Sequence, residues 1–222
     1  MTMFRNSGSP ETPTPTGRGS ISHRLTLAVV AATAVALTSI GCSSAPHSLV
    51  AGGIPKSAVV LQGTGTLTAP NPTSLAVSYN PAAAPIGAEL TATIGRLTDS
   101  TVAEVAVSGL LPNRGYAVHA HSKACGATGD AAGPHFQNRL DPAATPQAPS
   151  TNPDYANPSN EFWLDLRTDA AGAGTSHTTV PFTFTDRAPG SIVVHEAMMT
   201  ATAPGQAGQA GSRLACLTLS AP

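Results

Sequence analysis

The chain has little charge and few aromatic residues. Charged residues make up 10% of its 222 positions, aromatic residues 4%, and the formal net charge is -1. A nucleic-acid-binding protein needs a basic face, so this balance argues against nucleic acid as a partner. The charge is also too low for a typical disordered chain, which indicates a folded domain. Cysteine is scarce as well, with three in total.

Glycine and proline are plentiful, at 21 and 20 residues, and they interrupt the chain too often for a helical bundle. Short stretches between turn signals such as Asn80-Pro81 and Pro189-Gly190 alternate apolar and polar residues, as in Thr101–Ser108. This pattern predicts an all-β sandwich or barrel of about eight or nine antiparallel strands. The predicted strands are Ala58–Leu67, Leu75–Tyr79, Glu89–Ile94, Val102–Ser108, Tyr116–His121, Phe162–Arg167, His177–Phe184, Ile192–His195 and Leu214–Leu219.

Two stretches do not fit strands and are predicted to be loops. Residues 122–160 form a long one, rich in Pro, Asn and Asp, and residues 196–212 form a shorter one, rich in Gly, Ala and Thr. Long ordered loops on a compact β scaffold are usually functional. We therefore expect the functional site at these two loops.

The start of the chain has the features of a secretory signal. Arg18 and Arg24 precede an apolar run that ends at Gly41-Cys42, and Cys42 resembles a bacterial lipidation site. The alternative is a transmembrane anchor, but the run is shorter than the ~20 residues that a spanning helix needs. The predicted organisation is a signal peptide over 1–42, a flexible tether over 43–56 and a β domain over 57–222.

Removal of residues 1–42 leaves two cysteines, Cys125 and Cys216. Outside the cytoplasm such a pair indicates one disulfide, and the alternative is two unpaired buried thiols. A disulfide between them would close a loop of about 90 residues, worth roughly 3–5 kcal/mol through the entropy of the unfolded chain.

The remaining histidines offer candidate metal ligands. His119 and His121 are two apart on a predicted strand, so both side chains point to the same face. His135 lies in the long loop, and His195 ends a short apolar strand. Taken singly, either could be an ordinary surface or capping histidine. His177 alternates with polar neighbours and is predicted to face solvent, as is His47 in the tether.

The order of these residues and their local contexts carry a resemblance to a known family. In chain order the motifs are His119-Ala-His121, Cys125, Gly133-Pro134-His135-Phe136, Val193-Val194-His195-Glu196 and Ala210-Gly-Ser-Arg-Leu-Ala-Cys216. Together they resemble the copper/zinc superoxide dismutases from about Ser57 to the end of the chain. The resemblance is sharpest over residues 109–136 and 190–217.

The resemblance implies a Greek-key β-sandwich or flattened barrel with a copper site. It makes His119, His121, His135 and His195 the copper ligands, with His135 in the position of the family's bridging histidine. Arg213 corresponds to the arginine that attracts and docks superoxide, so Arg213 and His135 are the implied catalytic residues. The resemblance also pairs Cys125 with Cys216 and attaches the long loop to the last strand.

The family's zinc site is the part that this chain departs from. No histidine lies between His135 and His177, and the carboxylates of the region are Asp130, Asp141, Asp154 and Glu161. Carboxylates with one imidazole make a poor zinc site, so zinc is predicted to be absent. The second loop also lacks most of the family's charged guiding residues, and the aspartate that links the two metal sites has no evident counterpart.

Three functions follow as hypotheses. The first is a copper-only superoxide dismutase, outside the cytoplasm, that is held to the membrane through lipid on Cys42 or secreted. The second is a copper-binding or copper-delivery protein without turnover, favoured by the soft thioethers of Met198 and Met199. The third is a structural domain that has lost the site, since a fold never guarantees a function.

Overall fold

The computed structural model describes residue 54 and residues 58–222, except residues 72 and 146. The predicted signal peptide, Cys42, His47 and nearly all of the predicted tether therefore lie outside the described residues. Within the described ranges no helix is long and apolar enough to cross a membrane.

The described chain is all-β, with ten strands. One four-stranded sheet contains β1 (Val59–Thr66), β3 (Glu89–Arg96), β4 (Thr101–Ser108) and β8 (Gly174–Val180), in the order β1-β3-β4-β8. A second contains β2 (Ala76–Ser78), β6 (Val118–His121), β9 (Ser191–His195) and β10 (Arg213–Thr218), in the order β2-β10-β9-β6. The short strands β5 (Gly115–Tyr116) and β7 (Leu166–Arg167) pair with each other, and all strand pairs are antiparallel.

The hydrophobic core contains side chains of both four-stranded sheets. In β4 every second residue is buried, as its apolar alternation predicts. Leu90 and Ile94 of the first sheet share one apolar cluster with Ile192 and Leu217 of the second. Burial of an aliphatic side chain of this size stabilises the fold by about 1.5–3 kcal/mol. The all-β prediction is confirmed, and the arrangement is that of a β-sandwich.

The described residues form ten strands because one predicted strand is split in two. Residues 116–121 break at Ala117, whose N–H donates to the carbonyl of Ala197 at 2.8 Å instead of continuing a ladder. The predicted strand over 162–167 is confirmed in part, since a regular ladder is confined to Leu166 and Arg167 and Trp163 forms an isolated bridge with His119. Its first half approaches β6, but the carboxylate of Asp165 accepts the N–H of Val118 at 3.1 Å in place of a strand carbonyl.

Two long loops leave the second sheet beside the ends of its strands. Residues 122–165 follow β6 and include a 3-10 helix at Gly129–Ala132, and residues 196–212 connect β9 to β10. The predicted strand over 177–184 instead runs from Gly174 to Val180, and Phe182 and Phe184 reach the core from irregular backbone. Both predicted loops are thus present where the sequence placed them.

Candidate metal centre

Strand β6 places two histidines on the same side of the second sheet. His119 and His121 are two residues apart, and both are fully buried at 0% exposure. Strand β9 lies beside β6, with Val118 opposite Val194, so His195 at the end of β9 comes close to both. His195 Nε2 lies 3.1 Å from His121 Nε2.

The fourth histidine comes from the long loop, which folds back along β6. Phe136 N–H donates to the carbonyl of Ala120 at 2.8 Å, and Ser122 N–H donates to Pro134 at 3.0 Å. The turn before His135 requires glycine, because Gly133 has φ +70° and a Cβ there would lie 2.6 Å from the hydroxyl of Ser122. These contacts hold the His135 ring 4.1 Å from that of His119, centroid to centroid.

Two of the four imidazoles are oriented by backbone carbonyls. His121 Nδ1 lies 2.9 Å from the carbonyl of Gly133, and His195 Nδ1 lies 3.3 Å from that of Gly211. A carbonyl oxygen only accepts hydrogen bonds, so the proton of each neutral ring is on Nδ1. The lone pair of each Nε2 therefore faces the other histidines.

A carboxylate orients the third imidazole. Glu161 Oε2 lies 2.9 Å from His135 Nδ1 and also accepts Trp163 Nε1–H at 2.7 Å. The other oxygen, Oε1, accepts the amide of Gln137 at 2.8 Å. Glu161 is buried, and three donors satisfy its carboxylate. The carboxylate thus fixes the proton of His135 on Nδ1 and leaves Nε2 free.

The fourth imidazole, that of His119, is oriented through Nε2 instead of Nδ1. His119 Nε2 lies 2.6 Å from the hydroxyl of Thr200, which donates its single proton to Asp165 Oδ1 at 2.7 Å. Because that proton is committed, the hydroxyl must accept from His119 Nε2–H. His119 Nδ1 is then an unprotonated nitrogen, and it is the one buried side-chain N or O among the described residues without a hydrogen-bond partner.

Burial and crowding keep the buried rings neutral. Desolvation lowers the pKa of His119 and His121 well below the ordinary value, and the neighbouring His135 and His195 lower it further. Desolvation and the charge of His135 lower the pKa of His195 to about 3, against the opposing hydrogen bond to Gly211. At neutral pH these rings therefore offer lone pairs, which metal binding requires.

The four inward nitrogens fit a metal ion. One nitrogen from each of His119, His121, His135 and His195 lies within 4.8 Å of every other. In the described part of the chain this is the one group of three or more His, Cys, Asp or Glu side chains that could hold an ion. A partnerless buried nitrogen is costly, and a metal ligated there would satisfy it. Four imidazoles suit copper or zinc.

Arg213 lies next to this centre, and a disulfide involves the strand that Arg213 begins. Arg213 begins β10 opposite His195, is half-buried, and donates from Nη1 to the carbonyl of Gly129 at 2.6 Å. Cys125 and Cys216 form a disulfide, which confirms that prediction and joins the long loop to β10. The stretch of loop that the disulfide anchors therefore supplies carbonyl acceptors to both Arg213 and His121.

The sequence prediction found the four histidines and missed the residues that orient them. The sequence predicts Glu161 only as a poor zinc ligand, and it predicts no role for Thr200 or Asp165. One signal is available in the sequence, since two acids, Glu161 and Asp165, flank the apolar stretch Phe162-Trp163-Leu164 in a chain with very little charge. His177 is exposed as predicted, and it lies on β8, away from the second sheet.

No protein-family model matches the chain, and no curated protein matches it. The resemblance to copper/zinc superoxide dismutases therefore stays an inference from the motifs, and so do the Greek-key topology and the lipidation of Cys42.

Proposed function

We propose that the four-histidine centre binds copper and that the protein disproportionates superoxide to oxygen and hydrogen peroxide. The observation that carries this proposal is the set of four inward, unprotonated imidazole nitrogens, with the half-buried guanidinium of Arg213 lining the same cavity as His135 and His195. An all-nitrogen set is compatible with both oxidation states of copper. The protein would act outside the cytoplasm, anchored through lipid on Cys42 or secreted, and without zinc.

Copper, when bound, would take one electron from a first superoxide ion and give it to a second, with two protons completing hydrogen peroxide. Arg213 would attract and dock each anion, because a fixed positive charge in a partly desolvated site acts strongly at short range. Burial lowers the pKa of Arg213, but the nearby Asp130 opposes this, and a guanidinium stays charged at neutral pH.

His135, when it is not bound to the metal, would hold a proton at Nε2 during turnover. Its Nδ1–H stays bonded to Glu161, so a proton taken up on Nε2 gives an imidazolium whose charge faces a buried carboxylate. No second metal is needed for this pairing. Glu161 then positions the ring from which the second superoxide ion receives its proton.

The test is a count of metal in the full chain together with the optical decay of superoxide. The expected result is one copper per chain and rapid decay of superoxide. His135→Gln should abolish the rapid decay. His177→Gln is the matched control, because His177 is exposed and outside the centre. Tight copper without turnover would contradict the dismutase proposal.

Copper delivery without turnover is the second candidate. Met198 and Met199 are 62% and 71% exposed, and they directly precede Thr200, the partner of His119. Exposed thioethers next to the centre could accept Cu(I) from a donor. Replacement of both by Leu should then weaken Cu(I) binding, whereas an unchanged Cu(I) affinity would end this candidate role.

A further inference from the structure

A cavity of about 530 Å³ lies beside the metal centre. Its wall includes His135, His195 and Arg213, together with the apolar side chains of Leu140 and Ala144. A diatomic anion is about the size of a water molecule, which takes up about 30 Å³ in the liquid. The cavity is far larger than superoxide needs, and its volume falls within the roughly 300–1,000 Å³ typical of small-molecule sites.

Arg213 is the cationic side chain of the cavity wall, and most of its hydrogen-bond donors are free. A guanidinium has five N–H donors, and within the described residues Arg213 uses one of them, on Gly129. These remaining donors form a planar fork that suits a carboxylate or a similar oxyanion. Arg213 is therefore a charged group whose bonding capacity is largely unused.

The two carboxylates of the wall are already satisfied. Glu161 accepts hydrogen bonds from three side chains, as described above. Asp141 accepts the hydroxyl of Ser150 at 2.5 Å and the N–H of Ala143 at 2.9 Å. Neither acid therefore presents a bare carboxylate to a ligand, so they do not make this a cation site.

The wall also offers unburied apolar surface. Leu140 is 59% exposed, and Ala144 and Pro149 line the same cavity. Covering apolar area is favourable by about 25 cal/mol per Å². A ligand with an apolar body would gain this favourable free energy, whereas an inorganic ion would not.

We propose that the cavity binds a small organic monoanion, with its charged group on Arg213 and its apolar body against Leu140, Ala144 and Pro149. The proposal rests on the cavity and its donors and does not depend on which metal the histidines hold. Benzoate is a suitable probe, with benzyl alcohol and benzylamine as neutral and cationic counterparts of nearly the same size.

The experiment titrates the three probes into the full chain, metal-free and copper-loaded, while backbone amide shifts are followed by NMR. Benzoate should bind saturably in both forms and shift amides of residues 140–151 and 208–213. Benzyl alcohol and benzylamine should bind at least about tenfold more weakly, since one charge-assisted hydrogen bond is worth roughly that factor. Equal binding of all three probes, or no saturable binding in either form, would overturn the proposal.

Variants locate the site. Ala144→Trp should fill the cavity and weaken benzoate binding at least about tenfold, whereas Ala143→Trp, at the exposed neighbour outside the wall, should not. Leu140→Asn tests the apolar contact at an exposed position where folding is not at stake. Arg213→Gln should reduce benzoate to the affinity of benzyl alcohol. Unchanged binding in Ala144→Trp and Arg213→Gln would contradict the assignment, while binding that persists without dismutation would refute only the dismutase proposal.

Discussion

Glu161 and His135 are joined by a hydrogen bond of 2.9 Å between Oε2 and Nδ1, in which the carboxylate is almost fully buried and the imidazole largely so. Trp163 donates to the same oxygen. The pair fixes the tautomer and the orientation of His135, which lies in a loop and not in a regular strand. Outer partners of this kind orient the ligand and raise its basicity, and so they tune the metal site.

Glu161→Gln should weaken copper binding and lower the dismutation rate while the fold is kept. The glutamine amide is neutral, so the His135 imidazole loses its charged hydrogen-bond partner. Loss of such a partner typically costs about 10–100-fold in metal affinity or activity. Copper affinity is measured by competition with a chelator, and the rate by superoxide decay. Asp154→Asn is the matched control, since Asp154 is an exposed carboxylate of the same loop. Equal losses in the two variants would contradict the role of Glu161.

Thr200→Val should weaken the metal centre through His119 instead of His135. The change removes the hydroxyl between His119 and Asp165, so His119 Nε2–H loses its acceptor and the tautomer is no longer fixed. A buried polar group left without a partner costs about 1–3 kcal/mol. We expect a loss of that size in urea unfolding, together with weaker copper binding.

Thr202→Val serves as the control for Thr200→Val. Thr202 is exposed and lies two residues along the same loop. If both variants unfold at the same urea concentration and bind copper equally well, the hydroxyl of Thr200 has no positioning role.

The sequence was sufficient where a local pattern decides the structure. The period-two alternation of β4 and the same-face pair His119 and His121 follow from strand geometry alone. The composition of residues 122–160 and 196–212 predicts the two loops. These features can be predicted without information about the residues that pack against them.

The partners of the histidines could not be read from the sequence in the same way. Glu161 is 26 residues from His135, and Thr200 is 81 residues from His119. Which acid or hydroxyl reaches which ring depends on how two loops fold over the sheet. The boundaries of β5, β6 and β7 also depend on tertiary contacts, because Ala117 N–H donates to the carbonyl of Ala197 and the Asp165 side chain accepts the N–H of Val118.

The buried imidazoles make the metal-free protein sensitive to acid. In the unfolded chain a histidine has a pKa of about 6.5, whereas in the folded protein the pKa of His195 is about 3 and those of His119 and His121 are also lowered. The unfolded state therefore binds more protons below pH 6.5. The free energy of unfolding is therefore not reduced by these histidines above that pH, and it declines as the pH falls towards 3.

Each of these histidines should lower the free energy of unfolding by about 1.4 kcal/mol per pH unit within that window. The measurement is urea unfolding of the metal-free chain between pH 7.5 and 5, above the range in which most carboxylates titrate. His195→Gln should reduce the pH dependence of the free energy of unfolding by the contribution of one histidine. His177→Gln, at an exposed site, should leave that dependence unchanged. A flat profile would show that the rings are accessible to protons in the folded state.

Arg213→Gln separates anion docking from metal binding. Arg213 lines the cavity beside His135 and His195 but contributes no nitrogen to the four-histidine set, so copper content should not change. Without the guanidinium the rate should fall by about tenfold or more, and its decline with added salt should flatten, because the attraction acts on a charged substrate. Arg167→Gln is the control, since Arg167 is exposed and outside the cavity wall. If the two variants show the same rate and salt dependence, the charge of Arg213 does not guide superoxide and the chemistry must depend on the histidines alone.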